Sequence, residues 1–162
     1  MTDPRLGDAL WTALERLPRG AGVVFRHYDA PERAVLWARV RRIARRRGLM
    51  LMSAGEPLRG ADGVHNGRGT GLRSRAVHSR REMVAAAREG ADVVFVSPIF
   101  ATRSHPGART LGRMRLASLV GAAPMPVIAL GGMTAARFAS LKMTGVYGWA
   151  GIDAWISAPD AD

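Results

Sequence analysis

The sequence predicts an α/β fold, a (β/α)8 barrel whose first strand is missing or reduced to Thr2-Asp3. Short runs rich in β-branched and apolar residues alternate with stretches of helical spacing from Gly22 to Trp149, the pattern of parallel strands joined by crossover helices. Those runs are continuous rather than alternating, as in Val93 to Val96 and Val127 to Leu130, which suits strands buried on both faces. His27, His65, His78 and His105 each stand at the C-terminal end of a predicted strand or in the loop after it. In a closed parallel barrel those ends converge on the one face that carries chemistry, which argues for the barrel over a doubly wound sheet.

Leu6, Leu10, Ala13, Leu14 and Leu17 recur at helical spacing, so a helix precedes Pro18 and Gly20. A strand follows over Gly22 to Tyr28, then a helix from about Pro31, a suitable first-turn residue, to Arg47, with Gly48 as its stop. Leu36, Val40 and Ile43 mark its inner face. Leu49 to Met52, Asp62 to His65 and Arg75 to His78 are the next strands, and the glycine-rich segment from Asn66 to Gly71 leaves no room for a full helix. Ser79 with Glu82 is a capping box that opens a helix closed by Gly90. Asp92 to Gly132 is a βαβ unit: the strand from Val93, a polar Gly/Pro loop, a helix with Leu116, Leu119 and Val120 on one side, and the strand ending at Gly131-Gly132. A helix from Thr134 to about Met143, turning Phe138 and Leu141 inward, and a strand from Val146 to Trp149 complete the set. One domain over residues 1–157 is expected, with a disordered tail at 158–162.

At 162 residues and 48% hydrophobic composition, the chain can bury one core. It has no cysteine, which excludes disulfides, thiolate catalysis and cysteine-based zinc sites. No apolar run approaches the roughly 18 residues of a membrane span, and no signal-peptide h-region is present. The chain therefore reads as cytoplasmic, with no membrane partner. The formal net charge of +11 comes from arginine, Lys142 being the only lysine. Its densest cluster, Arg39 to Arg47, reads as a solvated outer helix face whose last turn complements the helix dipole. No aromatic residues interleave with these arginines, which argues against a nucleic-acid partner.

Glycines 131 and 132 let backbone N–H groups approach an anion at the end of a strand, and a helix beginning near Thr134 adds partial positive charge, so a phosphate is expected there.

These residues, taken together, resemble the thiamine phosphate synthase and thiazole tautomerase family, which has the (β/α)8 fold. The resemblance rests on Gly90-Ala91-Asp92, on Val96 to His105 (Val-Ser-Pro-Ile-Phe-Ala-Thr-Arg-Ser-His), on Leu111-Gly112 and on Pro126 to Gly132. Gly60 to His65 resembles the family's fourth-strand signature and Val77-His78-Ser79 its fifth-strand end. The resemblance implies that Gly131, Gly132, Gly151 and Ile152 present backbone amides to the phosphate of a thiazole phosphate. It implies catalytic roles for Arg26, at the strand-two arginine position, for His78, at the histidine of the tautomerase branch, and for His105, where synthases have a pyrophosphate-contacting lysine. Thr102, Arg103 and Ser104 form the corresponding substrate loop.

The family's synthases hold magnesium with an aspartate ending strand three and another after strand four, but here Ser53-Ala54 and Asn66-Gly67-Arg68-Gly69 stand there. Magnesium is expected from the family while its carboxylate ligands are absent, so no metal residue is assigned. Thr2-Asp3 matches the end of the family's first strand, so Met1 reads as an internal start, and two unpaired edges suggest a possible homodimer. The implied partner is a small phosphorylated thiazole or pyrimidine. The implied activity is thiamine phosphate synthesis, weak or absent; the alternatives are a tautomerase using His78 and a non-catalytic phosphate-binding or regulatory relic.

Overall fold

The structure, a computed structural model, describes residues 1–104 and 107–156. His105 and the expected tail at 158–162 lie outside the described residues. The chain divides into two compact units: Met1–Leu72 with the segment from Ile152 onward, and Arg73–Gly151.

The first unit contains strands β1 (Gly22–Phe25), β2 (Met50–Ala54) and β3 (Gly63–His65), with helices α1 (Ala9–Arg16) and α2 (Arg33–Arg47). Each strand runs parallel to the next, Val23 beside Leu51 and Met52 beside Gly63. Its core is one cluster around Phe25, Val40, Leu51, Leu10 and Leu14. α2 ends as its sequence predicts: Gly48 adopts φ 64 and donates its N–H to the Ala44 and Arg45 carbonyls. Its start is later than Pro31, because the Arg33 N–H first closes a turn on the Ala30 carbonyl at 3.0 Å. Trp37 rather than Leu36 is the buried anchor. Its ring meets Phe25 edge-on at 5.4 Å, and its indole N–H donates to the Arg59 carbonyl at 3.2 Å.

The arginine face of α2 is partly engaged within this unit. Arg39 lies over the Trp11 ring at 3.7 Å, Arg46 pairs with Glu15, and Arg41 donates to the Arg59 carbonyl. Beside β1, the Thr2 N–H donates to the Val24 carbonyl and the Thr2 hydroxyl accepts the Arg26 N–H, both at 2.9 Å. Thr2 thus docks on the strand edge without forming a strand of its own. Asp3 caps the 3-10 turn at Pro4–Leu6 and pairs with Arg5 at 2.8 Å. Burial raises the Asp3 carboxyl, but the Arg5 hydrogen bonds and charge outweigh it and hold it below its ordinary value.

The second unit contains β4 (Leu72–Val77) from Arg73 on, β5 (Val93–Val96), β6 (Val127–Ala129) and β7 (Gly148–Trp149), again each parallel to the next. Helices α3 (Arg80–Arg88), α4 (Gly112–Gly121) and α5 (Ala135–Leu141) accompany them. Its core gathers Met83, Val94, Val96, Leu116, Ala129 and Leu141. All four residues of β5 are buried, as a continuous β-branched run predicts. β4 begins earlier than expected because the Asp92 carboxylate accepts the Arg73 N–H at 2.7 Å, while the Asp92 N–H donates to the Arg73 carbonyl. β7 is shorter than expected: a 3-10 turn at Lys142–Thr144 and the left-handed Gly145 take up the approach to it. Hydrogen bonds from Tyr147 N–H to Val127 and from Ala150 N–H to Ala129 still tie its ends to β6.

The seven described strands make this a parallel α/β fold; the eighth strand of the expected barrel is not among the described residues. No described helix is long and apolar enough to cross a membrane.

Candidate functional site: the strand-end turns

In the second unit, the chain after β5 and the chain after β6 are locked together. The Ser97-Pro98 peptide is cis, and the segment it begins pairs with the glycine turn: Ile99 N–H donates to Leu130 and Phe100 N–H to Gly131, at 2.9 and 3.1 Å. Gly131 and Gly132 have φ 91 and 61, conformations that L side chains rarely adopt. Both are also closely approached by backbone. A Cβ at Gly131 would lie 2.7 Å from Pro98 Cα, and one at Gly132 would lie 2.3 Å from the Ala101 carbonyl oxygen. Glycine is thus required twice over at each position.

Arg137, in the first turn of α5, donates to the Gly132 carbonyl, and its guanidinium lies 5.0 Å over the Phe100 ring. The carbonyls of Leu130, Gly131 and Gly132 are therefore all engaged, by contacts that use neither glycine's N–H. Sequence reasoning missed Arg137; its place three residues after the capping Thr134, whose hydroxyl accepts the Arg137 N–H, was the available signal. Gly151 is buried just after β7, the neighbour of β6, while Ile152 belongs to the first unit. In the loop after β5, Thr102 and Ser104 are brought together, hydroxyl to hydroxyl at 3.0 Å, and Arg103 is exposed.

His78 follows β4 and is exposed. Its ring Nδ1 and its backbone N–H both meet Glu82 Oε2, at 2.9 and 2.8 Å, while Ser79 Oγ accepts the Glu82 N–H. The capping box predicted from the sequence is thus present, with its return bond reaching His78 rather than Ser79. Burial raises the Glu82 carboxyl, but the hydrogen bonds and charge of His78, with the Ser79 contact, leave it below its ordinary value.

In the first unit, His27 is buried after β1, stacked on Phe25 at 5.0 Å with Nδ1 3.0 Å from the Thr2 hydroxyl. Burial pushes its pKa below the ordinary 6.5 against the opposing pull of Asp3. Arg26 is half-buried, and its guanidinium lies 3.9 Å from the Met1 sulfur. At the end of β2, the Ser53 hydroxyl is buried and accepts the Leu58 N–H at 3.3 Å, and the Ala54 carbonyl accepts from Arg33. The loop after β3 passes so close that a Cβ on Gly67 would lie 1.8 Å from the Gly55 carbonyl oxygen.

This donor set does not fit magnesium, which takes hard oxygen ligands and commonly one or two carboxylates. The strand ends carry a methyl group, a committed hydroxyl and a guanidinium. The acids nearest in sequence, Glu56 and Asp62, are exposed, Asp62 being taken up by the Leu51 N–H, and no three potential ligands gather among the described residues.

Comparison with known proteins gives the family. The family model described as thiamine monophosphate synthase matches residues 74–155. A thiamine-phosphate synthase of Anaeromyxobacter dehalogenans is 35% identical over 97% of this chain and 81% of its own length. One from Chloroflexus aurantiacus is 33% identical over 62% of this chain and 52% of its own. The solved thiamine phosphate pyrophosphorylase from Pyrococcus furiosus superposes with a TM-score of 0.79 at 25% identity, covering 98% of this chain and 86% of that one. The chain spans about half the length, or less, of several curated relatives it matches. This chain belongs to the thiamine monophosphate synthase family.

Proposed function

We propose that the chain serves thiamin biosynthesis as a thiamine phosphate synthase-type transferase, with a thiazole phosphate held at the Gly131-Gly132 turn. The carrying observation is that turn: two glycines forced by φ and by backbone contact, their carbonyls turned to Phe100 and Arg137. Their N–H groups are left for an anion, and the family resemblance assigns Gly151, just after the neighbouring strand, to the same phosphate. Ile152, the next residue, is the remaining position that the family resemblance assigns to it. The parallel strands of each unit and the likeness to the Pyrococcus furiosus structure support reading the chain as a (β/α)8 barrel short of its first strand.

In the proposed reaction the thiazole nitrogen attacks the methylene carbon of a pyrimidine methyl pyrophosphate. A C–N bond forms, the C–O bond breaks, and pyrophosphate leaves with the electron pair. The chain's own contributions in the loop after β5 are cationic and polar: Thr102, Arg103 and Ser104 are proposed to meet the developing negative charge. The relatives named above are synthases, and none favours the tautomerase or relic readings. The test is thiamine phosphate formation from the two substrates, run with added magnesium and with EDTA. Slow product formation in both conditions supports the proposal, and no product in either, from folded protein, refutes it.

A further inference from the structure

We propose that Arg33 supplies, as a fixed side-chain cation, the charge that a metal would bring to the ends of β1 and β2, so that this chain binds pyrophosphate without magnesium. The inference rests on the proposed function and assigns the second substrate's anionic group to a residue. Three observations in the first unit carry it. First, Arg33 is half-buried at the start of α2, and its Nε donates to the His27 carbonyl at 2.9 Å and its Nη2 to the Ala54 carbonyl at 3.3 Å. The guanidinium is thus pinned by two strand-end carbonyls rather than waving in solvent. Second, a guanidinium has five N–H donors in a planar fork, and these two bonds use two of them, leaving a charged edge suited to phosphate oxygens. Third, no carboxylate among the described residues holds it: its partners are two carbonyls and the face of Phe25 at 5.9 Å, which leave its charge uncancelled.

The same positions explain why a metal is displaced rather than merely unligated. Ala54 ends β2 with a methyl group, and the guanidinium that bonds its carbonyl would repel a divalent cation placed beside it. The loop after β3 carries no acid from Asn66 to Gly71, and Gly67 is packed so tightly on Gly55 that a side chain at that position has no room. A carboxylate pair is therefore replaced by one arginine held on backbone oxygens.

Isothermal titration of the full chain with inorganic pyrophosphate, in EDTA and then with added magnesium, tests this on the native sequence, Arg33→Gln and Arg33→Lys. Thermal melts confirm that each is folded, and a parallel titration with thiazole phosphate reports the glycine turn. The native chain should bind pyrophosphate equally well in both conditions. Arg33→Gln should bind at least about tenfold more weakly, as for loss of a charge-assisted pair, with Arg33→Lys between them and thiazole phosphate binding kept in all three. Pyrophosphate binding that appears only with magnesium, or that Arg33→Gln leaves intact while lowering the melting temperature, overturns the inference. If thiazole phosphate binds and pyrophosphate does not, this inference alone fails. If neither binds to folded protein, the proposed function fails with it.

Discussion

The Thr2 hydroxyl and His27 Nδ1 stand 3.0 Å apart, both residues buried, on the same edge of β1 where Thr2 also takes up the Arg26 N–H. Burial that disfavours the charged form of His27 gives the fold a pH dependence of defined sign. Its folded pKa lies below 6.5, so as pH falls through that value the unfolded chain takes up the proton first, and stability falls until the folded pKa is passed. Denaturant midpoints between about pH 7.5 and pH 5.5 should decline in the native chain. His27→Gln, neutral throughout, should flatten that slope; an equally steep slope in the variant would assign the effect elsewhere.

The glycines give a graded series. Gly112 has φ 68 with nothing within 4 Å of an added Cβ, so Gly112→Ala should cost only the left-handed conformation, about 1–2 kcal/mol. Gly132→Ala adds a Cβ 2.3 Å from a carbonyl oxygen and should cost clearly more, with loss of phosphate affinity. Chemical denaturation of the two variants side by side checks the ranking; equal costs would mean that the Ala101 contact yields freely.

Ser79→Ala removes the cap of α3 and should cost about 1 kcal/mol. The Glu82 contribution has its own window. A depressed carboxyl pKa stabilises above its unfolded value of 4.5 and is lost as pH falls through the folded value, so Glu82→Gln should matter at neutral pH and converge with the native chain in acid. Because the His78 ring is engaged in this cap, His78→Ala should leave thiazole phosphate binding intact. Calorimetric titration of that variant settles the point, and a large loss of affinity would place His78 at the phosphate instead.

How much of this was legible in the sequence follows from the kind of signal each feature leaves. Val93 to Val96, Leu10 and Leu14, Ser79 with Glu82, and Gly48 were readable because periodicity, burial and capping act within a few residues. Strand ends were less so. β4 was lengthened by Asp92, nineteen positions from the Arg73 that it grips, and β7 was shortened by a turn at Lys142–Thr144 whose sequence also fits a helix end. Trp37 hid beside Leu36, since a one-residue rotation of α2 exchanges them and only the Phe25 ring and the Arg59 carbonyl select between them. In the candidate site, Gly131 and Gly132 announced themselves by composition. Arg137 and Arg33 did not, because among many arginines on helices only their carbonyl partners, Gly132 for one and His27 with Ala54 for the other, distinguish them from a solvated face.

Calorimetric titration of thiazole phosphate into the native chain and into Gly132→Ala, in EDTA and with both proteins shown to be folded, tests the central claim most directly. The account predicts saturable binding to the native chain, reduced at least about tenfold in the variant, as for loss of charge-assisted contacts to the backbone amides. No heat of binding to folded native protein at millimolar ligand, or the same affinity in Gly132→Ala, would contradict it.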